Sequence, residues 1–358
     1  MARAQAAFVA VVSAALLATA AGPAPASRAT RGALTAAGGV VMGTLSTPPT
    51  PAFLARVRRG QMTGVLLLGR WPSPAVVSST TAALQRAACT RGEPMLVAAD
   101  QEGGVVKRLP WAPPTLAPAQ MGTAAEAGRQ AAATAPALRQ AGIDVDFAPV
   151  VDTPSSAKSF LGTRAFSRST RLNSQLGAAF VDGLQGAGIA ATAKHFPGLG
   201  EAPANTDDEP VVVSAPRWKL REGLAPFRAA AAADVKLVMV SSATYPALDP
   251  SGLPAVFSRG LVTGLLRGEL GFEGVVVTDA LDTPGPARVW HAATRAIAAG
   301  VDLLVFGSEA PSERAYATLA ADAPKYPHLR ARLAESAGRI AELKQWLADQ
   351  GGPSCGSA

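Results

Sequence analysis

The chain has 358 residues, of which 48% are hydrophobic and 16% charged, so one large domain can bury its own core without a metal or a disulfide framework. Its net charge of +7 comes from scattered arginines rather than a clustered basic stripe, which argues against binding to nucleic acid and suits a polyanionic cell envelope. The two cysteines, Cys89 and Cys355, are too few for a metal-ligand cluster, although an oxidising exterior would permit a bridge between them. We expect neither a metal nor a cofactor.

Residues 1–26 have the pattern of a secretory signal peptide. Arg3 precedes an apolar run of Ala, Val and Leu that extends to about Ala21, and small residues then favour cleavage near Ala26. The run is too short and too rich in alanine to span a membrane, which requires ~20 strongly apolar residues. We therefore expect a bacterial protein that is secreted or located in the cell envelope, without stable membrane insertion.

Short apolar runs that end in turn signals recur along the rest of the chain and predict eight strands. They occupy 39–42, 64–68, 95–99, 143–148, 189–194, 237–241, 274–278 and 301–306. Amphipathic segments between and after them predict helices at 76–88, 170–187, 220–233, 259–269, 288–299 and 327–350.

Alternation of strands and helices favours a parallel sheet, and eight such units favour its closure into a barrel. The predicted fold is α/β, a single-domain (β/α)8 TIM-type barrel over 31–350 followed by a flexible tail at 351–358. An open doubly wound sheet is the alternative, but the dinucleotide-binding glycine motif does not follow the first predicted strand.

Active sites of such barrels lie at the carboxyl ends of the strands. There the chain carries acidic, basic and glycine-rich segments instead of a serine elbow or a phosphate-binding loop. Carboxylates beside cationic donors match the needs of a sugar ring. The segments are 100–104 (DQEGG), 146–150 (DFAPV), 194–198 (KHFPG), 265–267 (LLR) and 270–279 (LGFEGVVVTD).

In order and spacing these segments resemble glycoside hydrolase family 3 across most of the chain after the leader. The length resembles the single-domain β-N-acetylhexosaminidase branch rather than the longer two-domain β-glucosidases, so we disfavour a β-glucosidase-like enzyme. The resemblance implies that Asp279 is the nucleophile. It also implies that five other residues bind the sugar, namely Asp100, Arg108, Arg164, Lys194 and His195.

Each of these residues also has a simpler structural interpretation. Asp279 could cap the following helix, Arg108 or Arg164 could be a solvated surface arginine, and His195 could be a core histidine bonded to backbone. Gly103 and Gly104 fit a tight backbone turn rather than a ligand site. A cis Phe196–Pro197 peptide bond, as in relatives, would turn the neighbouring polar side chains into the site.

The chain departs from the family in one loop. The hexosaminidases carry an Asp-Ser-His motif after the fifth strand, with the histidine as acid/base, whereas this chain has Asn205, Thr206 and Asp207 there. Asp207 is our candidate acid/base, and Asp208 and Glu209 are neighbouring candidates. The segment could instead be a solvated turn.

Two functions from different classes follow. The first is a secreted, monomeric glycosidase that cleaves terminal β-linked N-acetylhexosamine from peptidoglycan-type or related glycans with retention. The second is a sugar-binding pseudoenzyme that has lost its acid/base. In both, the partner is an N-acetylglucosamine-containing carbohydrate and not a nucleic acid.

Overall fold

The computed structural model of the chain describes residues 28–356, so the predicted leader lies outside the described residues. Seven parallel strands form a curved sheet in the order β1-β2-β3-β6-β7-β8-β9, and an antiparallel hairpin, β4 with β5, projects from the end of β3. The strands are β1 Met42–Leu45, β2 Gly64–Leu67, β3 Leu96–Ala99, β4 Gln101–Gly103, β5 Val106–Lys107, β6 Val145–Asp146, β7 Ala190–Phe196, β8 Leu237–Val240 and β9 Val275–Thr278.

The predicted eighth strand, 301–306, closes the sheet through isolated bridges. Leu303 accepts a hydrogen bond from the backbone N–H of Thr278 in β9 at 3.0 Å, and Leu304 accepts one from Met42 in β1 at 2.9 Å. The segment thus joins the two edge strands, and the fold is the predicted barrel.

In the part of the chain that the structure describes, ten α-helices cover the outside of the barrel. The residues of the seven parallel strands are buried, as expected for strands packed on both faces. The helices are α1 Arg28–Gly38, α2 Pro51–Arg58, α3 Pro74–Cys89, α4 Ala124–Gln140, α5 Thr170–Gln185, α6 Arg217–Glu222, α7 Ala225–Ala232, α8 Ala292–Ala299, α9 Glu309–Asp322 and α10 Pro327–Asp349. A π-helix occupies Gly260–Glu269, and 3-10 turns occupy Pro118–Gln120, Gly162–Arg164, Ala255–Phe257 and Pro286–Arg288. Among residues 28–356, none of the helices combines the length and apolarity needed to cross a membrane.

The structure differs from the sequence expectation in several places, including helices α2, α4 and α9, which lie outside the predicted helical segments. The first strand begins at Met42 rather than residue 39, because residues 39–40 form the turn that follows α1 and Val41 makes only a bridge to Leu304. The predicted helix at 220–233 is two helices, α6 and α7, separated at Gly223 and Leu224. The hairpin of β4 and β5 was not predicted, and positive φ angles at Gly103 and Gly104 turn the chain there.

The last helix is fastened to the barrel through one buried carboxylate. Asp302 accepts hydrogen bonds from Arg332 at 3.3 Å, Arg339 at 3.2 Å and Ser336 at 3.0 Å, all three on α10, and also pairs with Arg267. Because the carboxylate is fully buried, these donors compensate its lost hydration. The amphipathic helix 327–350 therefore packs back on the barrel, as its pattern predicts.

Cys89 at the end of α3 forms a disulfide with Cys355 in the C-terminal segment. The sequence left this bond open. The cross-link joins residues 266 positions apart, and a bridge across so long a loop restricts the unfolded chain strongly. In the described part of the tail, Gly352 also donates a backbone hydrogen bond to Leu347 at 2.8 Å.

We expect Cys355→Ser to lower the free energy of unfolding by about 2–5 kcal/mol. The measurement is urea unfolding of both proteins with and without a thiol reductant. The reductant should lower the wild-type midpoint to that of the variant and leave the variant unchanged. Equal midpoints under oxidising conditions would contradict the expectation.

Candidate active site

A pocket of about 430 Å³ opens at the carboxyl ends of the strands, where the barrel fold places active sites. All seven residues predicted from sequence as catalytic or sugar-binding line this one pocket. They are Asp100, Arg108, Arg164, Lys194, His195, Asp207 and Asp279. The barrel therefore brings together side chains from five separate parts of the sequence.

Asp100 lies where β3 ends, between two cations. Its Oδ1 accepts a hydrogen bond from Lys194 Nζ at 2.8 Å, and its Oδ2 accepts from Arg108 Nη2 at 3.0 Å. Burial raises the pKa of Asp100, but the charges of Lys194 and Arg108 outweigh burial and hold the pKa well below its ordinary value. Asp100 is thus a fixed anion that can accept hydrogen bonds from a ligand hydroxyl.

Glu102, on β4, was quoted in the sequence motif but not assigned a role. It is buried and accepts two hydrogen bonds from the guanidinium of Arg164, at 2.8 Å each, while Lys194 Nζ lies 2.7 Å from Oε1. Burial raises the pKa of Glu102, yet Lys194 and Arg164 together lower it below its ordinary value. Glu102 therefore fixes two cations that face the pocket, and only the pairing geometry identifies this role.

Lys194 is accordingly held between two carboxylates. Burial lowers the pKa of Lys194, but Asp100 and Glu102 outweigh burial and raise the pKa above its ordinary value. The ammonium group therefore stays charged at neutral pH, although the side chain is almost fully buried. It provides a positive charge at the floor of the pocket.

We expect Glu102→Gln to destabilise the fold by about 3–5 kcal/mol, because the variant leaves Lys194 and Arg164 partly unpaired in the interior. Urea unfolding measures the change. Glu126→Gln, which alters an exposed ion pair with Arg129, serves as the control and should leave the midpoint nearly unchanged. A Glu102→Gln midpoint equal to that of the control would contradict the expectation.

His195 is oriented by Asp152, a second residue that the sequence analysis did not assign. Asp152 Oδ2 lies 2.8 Å from His195 Nδ1, and Oδ1 accepts the backbone N–H of Leu199 at 2.7 Å. The pairing assigns the proton to Nδ1 and leaves Nε2 for a ligand. The Lys194–His195 and Phe196–Pro197 peptide bonds are both cis, so the prediction for Phe196–Pro197 is confirmed.

Asp279 directly follows β9, is partly buried and lines the pocket. Its Oδ1 accepts the backbone N–H of Ala280 at 2.8 Å. Burial raises the pKa of Asp279, the charge of Asp207 adds to the rise, and His195 and Lys194 oppose it. The pKa of Asp279 therefore depends on Asp207, His195 and Lys194 as well as on burial.

The loop that departs from the family forms one side of the pocket through Asn205, Thr206 and Asp207. Asp207 is exposed, and its backbone N–H donates to Asn205 Oδ1 at 3.3 Å, which is the geometry of a local turn. Asp208 and Glu209 are exposed and do not line the pocket, and neither do His291 and His328. Asp207 is therefore the acidic group of this loop that faces the pocket.

Asp146, at the end of β6, is fully buried. Its Oδ1 accepts the backbone N–H of Gln101 at 2.9 Å, while Oδ2 has no hydrogen-bond partner among residues 28–356. Burial raises the pKa of Asp146 to about 8, and the Gln101 N–H and Lys194 limit the rise. The protonated, neutral carboxyl is therefore the form that suits the folded protein at neutral pH.

Because folding raises the pKa of Asp146, the contribution of its protonated carboxyl to stability is complete below the ordinary aspartate pKa near 4. It is lost as the pH rises towards 8, by up to about 1.4 kcal/mol per pH unit. Asp146→Asn cannot ionise, so its melting temperature should fall less than that of wild type between pH 5 and 8. Asp144, whose pKa burial raises to about 7, keeps part of the dependence in both proteins. Parallel melting curves over this pH range would contradict the expectation.

These side chains supply what a pyranose needs, namely fixed partners for hydroxyl groups and an anion for the anomeric carbon. The family model for the glycosyl hydrolase family 3 N-terminal domain matches residues 48–343, a span that contains every residue of the pocket named above. The chain belongs to glycosyl hydrolase family 3.

Relatives and solved structures agree with this family 3 membership. The chain is 31% identical over 309 residues to a beta-hexosaminidase of Nitrosomonas eutropha, which covers 79% of this chain and 86% of that relative. A beta-N-acetylhexosaminidase structure from Beutenbergia cavernae matches with a TM-score of 0.79 and 31% identity, covering 90% of this chain and 99% of that one. A family 3 beta-N-acetylglucosaminidase structure from Paenibacillus matches with a TM-score of 0.81 and 32% identity, covering 89% of this chain. The chain spans only 63% of the length of that Paenibacillus protein.

Proposed function

We propose that this family 3 glycosyl hydrolase removes terminal β-linked N-acetylhexosamine with retention of configuration. The observation that carries the proposal is the shared pocket of Asp279, Asp207 and the cation-paired Asp100. The hexosaminidase names of the relatives support the choice of sugar.

In the first step the Asp279 carboxylate attacks the anomeric carbon, the glycosidic C–O bond breaks, and Asp207 gives its proton to the leaving oxygen. This step forms a covalent glycosyl ester on Asp279. In the second step Asp207 takes a proton from water, the resulting nucleophile attacks the same carbon, and the ester bond to Asp279 breaks. Two inversions give net retention.

The remaining pocket residues hold the sugar. Asp100 and His195 Nε2 accept hydrogen bonds from hydroxyl groups, and Arg108 and Lys194 donate to others. Arg164 uses Nε and Nη2 on Glu102, so it contributes through its remaining nitrogen and its charge. The fixed anion and cations make the pocket selective for a neutral, hydroxyl-rich ring.

One specific observation favours the second candidate, a sugar-binding protein without turnover. Asp207 is exposed on a turn, whereas a general acid must lie within hydrogen-bond reach of the leaving oxygen. Catalysis by Asp207 therefore requires the loop to close over the substrate. A loop that stays open would leave binding intact and remove acid assistance.

We place the enzyme outside the cytoplasm, as a monomer acting on peptidoglycan-type or related glycans. The leader pattern at residues 1–26 and the disulfide of Cys89 with Cys355 support an oxidising location. The net positive charge favours contact with an anionic envelope.

The test is a panel of aryl glycosides assayed with the purified protein. We expect turnover of the aryl β-N-acetylglucosaminide at least about 100-fold faster than that of the aryl β-glucoside. Binding of N-acetylglucosamine by calorimetry without turnover of any glycoside would instead support the sugar-binding protein. Faster turnover of the glucoside would contradict the proposed substrate.

A further inference from the structure

A second cleft, of about 360 Å³, lies beside the catalytic pocket. Phe306 lines both cavities, and Leu281 and Asp282 of the second cleft come two and three residues after Asp279. Trp290 and Arg314 of α9 also line the second cleft. The second cleft therefore adjoins the pocket at Phe306, beside the loop that carries the proposed nucleophile.

Trp290 projects into solvent at the rim of this cleft, with 79% of the residue exposed. Its backbone is nevertheless fixed, because the carbonyl oxygen accepts a hydrogen bond from Arg295 Nε at 3.1 Å. The next residue, His291, pairs with Asp322 at 3.2 Å and has a φ of 56°, a left-handed conformation that is costly for a residue other than glycine. The fold thus holds a large aromatic ring in water, on a constrained backbone, beside the site.

Polar groups complete the cleft. The carboxylate of Asp282 accepts the backbone N–H of Gly307 at 2.6 Å and the hydroxyl of Ser308 at 2.9 Å, so its position is fixed. Arg314, which also lines the cleft, is exposed. An aromatic face with a few fixed hydrogen-bonding groups is the composition of a saccharide subsite.

We propose that this second cleft binds the sugar residue on the leaving-group side of the scissile bond, with the pyranose ring stacked on the indole of Trp290. The ligand class is an oligosaccharide of β-linked N-acetylhexosamine. The inference rests on the proposed function, because it assigns the leaving-group side of that same substrate. It explains why the loop after the nucleophile presents a tryptophan to solvent.

Trp218 provides a matched control. It is 68% exposed on α6 and lies beside Lys219, whose Nζ is 6.0 Å from the ring centroid. It lines neither the pocket nor the second cleft. Both Trp218→Ala and Trp290→Ala remove an exposed indole, but only Trp290→Ala removes one from the second cleft.

The experiment compares these two variants with wild type on chitotriose and on an aryl N-acetylglucosaminide. Trp290→Ala should lower kcat/KM for chitotriose about tenfold, mainly through KM, and that for the aryl substrate by less than about threefold. Trp218→Ala should match wild type on both. An equal loss on both substrates, or no loss on chitotriose, would overturn the subsite.

A binding arm separates this inference from the proposed function. Calorimetric titration of chitotriose into the Asp279→Asn protein should give a Kd that rises about tenfold when Trp290→Ala is added and stays unchanged with Trp218→Ala. This result would support the subsite even if the wild-type protein hydrolyses no glycoside. An unchanged Kd on adding Trp290→Ala, or absence of chitotriose binding, would overturn it even if aryl glycosides are hydrolysed.

Discussion

Asp279→Asn is expected to lower kcat for an aryl β-N-acetylglucosaminide by at least about 10⁴-fold, because the amide cannot form the glycosyl ester on which both steps depend. Asn keeps the size of the side chain and can still accept the Ala280 N–H at 2.8 Å, so the fold should persist. Steady-state kinetics measure the loss, and thermal unfolding checks that the variant is folded. Retention of more than about 10% of wild-type kcat would show that another group is the nucleophile.

The wild-type pH profile gives an independent check on Asp279. Burial raises its pKa, and only the ionised form is a nucleophile, so kcat/KM should fall as the pH drops through a value above the ordinary 3.8. Asp279→Gly extends the test by chemical rescue. Azide should restore turnover of an activated aryl substrate and give the α-glycosyl azide, since a single displacement inverts the anomeric centre.

Asp207→Asn is the variant with the second largest expected effect. Loss of the general acid should lower kcat/KM for chitobiose by roughly 10²- to 10⁴-fold, since its leaving oxygen must be protonated. A dinitrophenyl glycoside, whose leaving group departs without protonation, should form its glycosyl ester at nearly the wild-type rate. Stopped-flow release of dinitrophenol measures this first step separately from hydrolysis of the ester.

Asp208→Asn is the matched control for Asp207→Asn, because Asp208 is the adjacent exposed carboxylate and does not line the pocket. Asp208→Asn should turn over chitobiose and the dinitrophenyl glycoside at wild-type rates. An equal loss on chitobiose and on the dinitrophenyl glycoside in Asp207→Asn would assign Asp207 to binding rather than proton transfer. Loss in Asp208→Asn alone would move the acid/base to that residue.

The sequence predicted the barrel well because its strands are short apolar runs with clear ends. The predicted run 274–278 corresponds to β9, Val275–Thr278, which Asp279 follows, and the predicted run 64–68 corresponds to β2. The predicted strand bounds were wrong where an apolar run in the sequence extends beyond the residues that pair with a neighbouring strand. Residues 39–41 are apolar or small, yet pairing with β2 begins at Met42. Helix α4 was missed because Pro136 lies inside its alanine-rich segment, and proline ordinarily interrupts a helix.

The candidate site was predicted as a set of residues but not as a network. Asp100 and Asp279 follow strands and Lys194 lies near the carboxyl end of β7, so their convergence follows from the topology of a parallel barrel. Glu102 and Asp152 were missed because their roles depend on distances to Arg164, Lys194 and His195, which sequence spacing does not specify. The available signal was that Glu102 lies in the quoted segment 100–104 and that Asp152 follows the quoted segment 146–150 by two residues.

The central claim is that Asp279 forms a covalent bond to the sugar. The most direct measurement is mass spectrometry of the protein after reaction with a slow fluorinated N-acetylglucosaminyl donor, followed by trypsin digestion. We expect one added glycosyl group in peptide 268–288, with fragmentation assigning it to Asp279 rather than Asp282. A label on Asp282 or Asp207, or turnover of the donor without any labelled peptide, would contradict it.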